Sequence, residues 1–192
     1  MNAVLQFIGR SFVDPKGVAT MLNALRLNRG ILWSMMALVV CLSVLMMVGT
    51  LSIFPAPSQS QLMVLPPFGL AILLGSILVA MVFAFYFTGQ MLGGTGRFPG
   101  ALLLLTWWQA MGVAVQVIQL LTVLILPFMV QVVSIAGFAY LTIALVLAVD
   151  VLHGFANIGK AIATIMIAFL GTAFGLALIL SLVGVTAQGL AL

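Results

Sequence analysis

Past Ile31 the chain carries only three charged side chains, Arg97, Asp150 and Lys160. A surface facing water needs far more charge than that, so the fold must be one that lipid covers. The whole sequence, 192 residues with 65% hydrophobic and 4% charged, falls in the same class. A helix crossing about 30 Å of hydrocarbon takes roughly 20 apolar residues. Five stretches of that kind are present, at about 31–54, 67–89, 101–126, 128–152 and 161–185.

The breaks between them are chemically plain. Pro55-Ala56-Pro57 and the polar residues 58–61 cannot continue a helix, and Pro127 marks a tight reversal. Residues 93–100, Gly-Gly-Thr-Gly-Arg-Phe-Pro-Gly, read as a flexible loop, and residues 154–159 form the last link. The first apolar run starts too late and lasts too long for a cleaved signal peptide, whose core is about 7 to 15 residues, so it reads as a retained span. The expectation is an all-α membrane protein: a five-span membrane domain, 31–192, behind an N-terminal segment, 1–30.

That segment is too polar to cross a bilayer, yet Val18, Met21, Leu22 and Leu25 recur at helical spacing. They predict an interfacial amphipathic helix, with Asp14 as its cap and Pro15 in its first turn.

All six basic residues, Arg10, Lys16, Arg26, Arg29, Arg97 and Lys160, fall before the first span or in the links after the second and fourth. With five spans these places share one side. The positive-inside rule makes that side cytoplasmic and puts the C-terminus outside. Trp33, Trp107, Trp108 and Tyr86 are expected near the same interface. The basic residues are too sparse for a nucleic-acid footprint. Cys41 is the only cysteine, which excludes an intrachain disulfide and a thiolate metal cluster; it reads as a small packed hydrophobe.

Acid–base or metal chemistry within a membrane needs converging ionisable groups at depth. Both carboxylates instead map to the basic interface, so no catalytic residue, cofactor site or metal site is assigned. The most chemical-looking trio is Asp150, His153 and Asn157, which a continuing helix would set on one face. Two ligands fall short of a zinc site. The trio reads either as a headgroup or partner contact, or simply as His153 and Lys160 meeting headgroups while Asp150 pairs with one of them. Arg26, Arg29, Arg97, Asp150, His153 and Lys160 are therefore the candidate contacts to membrane lipid, to another membrane protein or to a second copy.

A second feature lies on span three, where Gln109, Gly112, Gln116 and Gln119 fall near one helical face. Gln116 and Tyr140 should lie at similar depth, which predicts a hydrogen bond between adjacent spans. The alternative for this stripe is a polar path through a small channel or transporter. On span five, Thr164, Ala168, Gly171 and Gly175 form a small-residue stripe suited to close packing within the bundle.

The five-span plan, Gly93-Gly94-Thr95-Gly96-Arg97-Phe98 leading into a long third span, and Lys160-Ala161 opening the last resemble the Yip domain family of Ypt/Rab-interacting membrane proteins. The resemblance implies a cytoplasmic N-terminal segment and carries over no catalytic residues; with no catalytic constellation in the chain itself, the expectation is a non-enzymatic organising or assembly factor. Eukaryotic relatives act in vesicle traffic through Rab-type GTPases. They carry acidic N-terminal stretches that this chain lacks, which argues against a Rab-type partner and aligns it with the bacterial members.

Overall fold

A computed structural model describes residues 2–54 and 66–182, and among these every regular element is helical. Two short helices, α1 (Asn2–Val13) and α2 (Pro15–Ala24), precede five long ones: α3 (Arg29–Ile53), α4 (Pro67–Met91), α5 (Phe98–Ile125), α6 (Val130–His153) and α7 (Ile158–Leu182). At 1.5 Å per residue the long helices reach about 36 to 42 Å, enough to cross a bilayer. All five are apolar enough to do so, which makes the chain an integral membrane protein. The polar links at 55–61 and the tail from 186 lie outside the described residues.

Helix limits follow from capping. The Asp14 carboxylate accepts from the Gly17 amide at 2.8 Å and Pro15 opens α2, as the sequence predicts. Asn28 does the same for α3, accepting from Gly30, and so moves its start back to Arg29. Asn157 caps α7, accepting from Gly159 and Lys160 at 2.9 and 3.3 Å. Pro67 and Pro99 occupy first turns, where a missing N–H costs nothing. Pro127 opens a single 3-10 turn, Pro127–Met129, between α5 and α6.

Helix α5 is the axis of the bundle, packing against α2, α3, α4 and α6. Its residues from Ala101 to Trp107 are all buried, walled in on every side. Its far half is different: Ile118, Leu121, Leu124 and Ile125 are exposed, as lipid-facing groups should be. Tight packing is thus concentrated at the end where the basic residues lie.

The N-terminal segment departs from expectation. Residues 2–13, ahead of the helix expected from Asp14 onward, form an amphipathic helix of their own. Helix α2 also does more than lie on lipid: Val18, Ala19 and Leu22 are buried against α6 and α5, while Met21 and Leu25 stay exposed. The buried stripe faces protein. Cys41 is exposed rather than packed in the core.

Two tryptophans placed at the interface by sequence also turn inward. The Trp107 indole donates to Ser11 Oγ at 3.1 Å, and Trp108 donates to the Leu141 carbonyl at 2.8 Å. An indole N–H held within a membrane bundle must find an acceptor there, since lipid offers none. Trp33, at the start of α3, remains partly exposed.

Candidate site at the basic end

Helix α6 ends in a Schellman turn. Gly154 adopts the left-handed conformation (φ 63°) and the Phe155 amide returns to the Asp150 carbonyl. The helix therefore stops at His153, and Asn157 cannot continue a face with Asp150 and His153. The chain instead folds back, and the Asn157 amide donates to Asp150 Oδ1 at 3.1 Å. Asp150 is nearly buried, with its other oxygen 4.0 Å from Lys16 Nζ on α2. A carboxylate so buried is costly unless served by donors, and it receives one from its own loop and a charge from the N-terminal segment. The sequence paired Asp150 with His153 or Lys160; its partner is Lys16, distant in the chain.

His153 does not reach the headgroups. It is 1% exposed, with Nδ1 3.2 Å from the Val149 carbonyl. Nε2 is buried without a hydrogen-bond partner among the described residues. Its ring stacks on Phe155 (5.1 Å between centroids, 14° between planes), and Lys160 Nζ lies 6.0 Å from the Phe155 centroid on the way to the surface.

The glycines of the α4–α5 connection wrap this ring. A Cβ on Gly94 or Gly96 would come within 2.6 or 2.8 Å of His153, and one on Gly89 would fall on the imidazole itself. The loop that reads as flexible in the sequence is therefore pinned. The Thr95 amide donates to the His153 carbonyl at 3.0 Å, with its hydroxyl 3.4 Å from the same oxygen. From the N-terminal side, the Asn23 amide reaches the Val151 carbonyl at 3.4 Å. Three links remote in sequence are thereby tied into one end of the bundle.

Outward from this knot, Arg26, Arg29, Arg97 and Lys160 are all exposed. Arg26 and Arg97 line a cleft of about 480 Å³ between the α2–α3 connector and the ends of α5 and α6.

The glutamine stripe sits elsewhere, in the far half of the bundle. It lines a cleft of about 550 Å³ with Ser43, Met47, Thr50 and Ser134. Gln109 donates to Ser43 Oγ at 3.2 Å and Gln119 to Ser134 Oγ at 3.4 Å, joining α5 to α3 and to α6. The expected Gln116–Tyr140 bond is not formed. The Tyr140 hydroxyl donates to the Ser11 carbonyl at 3.0 Å, and its ring lies 4.7 Å from that of Phe12. The register of α5 on α6 explains the miss: Trp108 meets Leu141 and Gln119 meets Ser134, which sets Tyr140 about a turn from Gln116, and α1 occupies the space beside it. On α7 the small stripe divides: Thr164 and Ala168 are buried, whereas a Cβ on Gly171 or Gly175 would meet nothing within 4 Å.

Among the described residues no group of three His, Cys, Asp or Glu side chains is placed to hold a metal. The profile of the Yip1 domain family matches residues 10–180. The chain belongs to the Yip1 domain family. No curated protein and no solved structure gives a match. The matched region takes in the glycine loop, the Schellman turn and the Lys160-Ala161 pair, so the knot at the basic end lies wholly within the Yip1 domain. Its N-terminal limit at residue 10 also includes Ser11 and α2. The helices that dock beside the spans are thus largely part of the domain.

Proposed function

We propose that this Yip1-domain protein is a non-enzymatic scaffold or assembly factor of a bacterial inner membrane, acting through its cytoplasmic face. One observation carries the reading: three chain links are locked together at one end, and the basic side chains there point outward. Arg29, Arg97 and Lys160 are exposed, whereas Asp150 and His153 are turned inward and spent on structure. A rigid basic platform presents contacts without an ordering cost, as a docking surface should. The partner is another membrane protein or a second copy of the chain. A Rab-type GTPase is disfavoured, since the N-terminal segment offers only Asp14, already engaged as a helix cap.

The alternative, a small channel or transporter, would use the glutamine cleft. The burial of α5 from Ala101 to Trp107 speaks against it, because a path from the cleft toward the basic end would have to pass packed side chains. Gentle detergent extraction followed by native mass spectrometry tests the proposal. It expects a stoichiometric partner or self-assembly that Arg29→Gln with Lys160→Gln releases. A monomer with no partner, under conditions that keep other membrane complexes intact, would overturn it.

A further inference from the structure

The cleft at the basic end joins a polar rim to an apolar lining. Its polar rim is made of Arg26 from the α2–α3 connector, Arg97 and Thr95 from the α4–α5 loop, and Asn23 from α2. No carboxylate lines it. Asp14 is engaged at the Gly17 amide, and Asp150 with Lys16 and the Asn157 amide, so neither is free to neutralise the two guanidinium groups. Among the described residues neither arginine forms an ion pair. Arg97 is also the residue before α5, a helix whose first turn has no side-chain cap, so the positive end of its dipole adds to the same field. Gly100 in that turn lets Asn23 and Leu152 pack closely on the start of α5, since a Cβ there would meet Asn23 Oδ1 at 2.9 Å and Leu152 at 3.0 Å.

Below the rim the chemistry changes. Apolar side chains make up most of the remaining lining, among them the accessible Leu25 and Leu27 and the almost fully buried Leu32, Leu103 and Leu152. Leu32 lies one turn into α3 and Leu103 within the second turn of α5, so this apolar lining belongs to the ends of two membrane-spanning helices. A cleft with donors above and leucines below is built for an amphiphile with a negatively charged head. Guanidinium groups favour phosphate, which they can grip with two parallel hydrogen bonds.

We infer that this cleft binds a phosphate group, and that the phosphate is that of an anionic phospholipid whose glycerol and first chain methylenes rest on the leucines. The site goes beyond the scaffold reading and does not depend on it, because it is tested on the isolated chain.

The full-length protein, purified in a neutral detergent, is unfolded thermally with added phosphatidylglycerol, phosphatidylcholine or inorganic phosphate. The expected result is a rise in midpoint with phosphatidylglycerol alone. Arg26→Gln and Arg97→Gln should each raise the lipid concentration needed for half the effect by about tenfold, the scale of losing one charge-assisted pair. Arg10→Gln, exposed and outside the lining, should leave it unchanged. Midpoints without lipid that match the parent show that the variants fold. Equal protection by phosphatidylcholine, or a phosphatidylglycerol effect that survives both substitutions, would overturn the site. Protection by inorganic phosphate equal to that of the lipid would overturn the lipid as its source.

Discussion

Replacing Gly89 by alanine should destabilise the bundle through one contact, and removing the His153 ring should relieve it. An added Cβ at Gly89 would lie on the imidazole, and the ring has nowhere to go: it is 1% exposed and held against Phe155. Either α4 and α6 separate or the ring leaves its rotamer. Overpacking of this kind costs about 1 to 3 kcal/mol, offset by up to about 1 kcal/mol from the better helix propensity of alanine. His153→Ala alone leaves a cavity and should cost about 2 to 4 kcal/mol. In the double variant the new methyl enters the vacated space, so the pair should be more stable than the sum of the singles by about 1 to 3 kcal/mol. Equilibrium unfolding in detergent, followed by tryptophan fluorescence, gives all four values. Gly49→Ala, where nothing lies within 4 Å, serves as the control and should change stability by less than about 1 kcal/mol. Additivity of Gly89→Ala and His153→Ala within about 0.5 kcal/mol would refute the cradle.

Other consequences can be read in the same assay. Asp150→Asn keeps an acceptor for the Asn157 amide and loses only the pairing with the exposed Lys16, so it should cost less than about 1 kcal/mol; Asp150→Leu strands a donor and should cost about 1 to 3 kcal/mol. Equal losses for Asn and Leu would show that the ion pair, which both remove, dominates over the loop bond. Gln116→Leu and Tyr140→Phe should be additive, since Tyr140 is bonded to Ser11 instead. Tyr140→Phe should also speed proteolysis within α1, and unchanged cleavage would count against the latch. Gln109→Leu and Ser43→Ala should couple, by roughly 0.6 kcal/mol, where Gln116 and Ser43 should not.

The five spans were legible because length and apolarity alone define them, and the caps at Asp14 and Pro15 because their chemistry is local. What the sequence hid was pairing across the chain. Lys16 with Asp150, Ser11 with Trp107 and Tyr140, and Thr95 with His153 join residues far apart in sequence, and periodicity carries no trace of them. The glycine loop illustrates the difficulty. Its composition announces freedom, but Gly94 and Gly96 are small there because an imidazole lies against them. The inward turn of Trp107 and Trp108 was missed for a related reason: interface preference is a statistical tendency, and an available acceptor on Ser11 or Leu141 outweighs it. Helix α1 is clearly amphipathic, but that pattern does not name what its apolar face meets, so its seat beside Tyr140 emerges only from the packed bundle.

The account rests on one claim, that the knot and its basic rim form the cytoplasmic face. Cys41 is the only cysteine, so a Cys41→Ala background leaves a clean chain for labelling. Single cysteines at Arg29, Arg97 and Lys160 should react with a membrane-impermeant maleimide only when the inner face is opened. One at Pro57 should react in intact cells. Labelling of Arg97→Cys or Lys160→Cys from outside, or protection of Pro57→Cys, would invert the topology and remove the basis for a cytoplasmic docking surface.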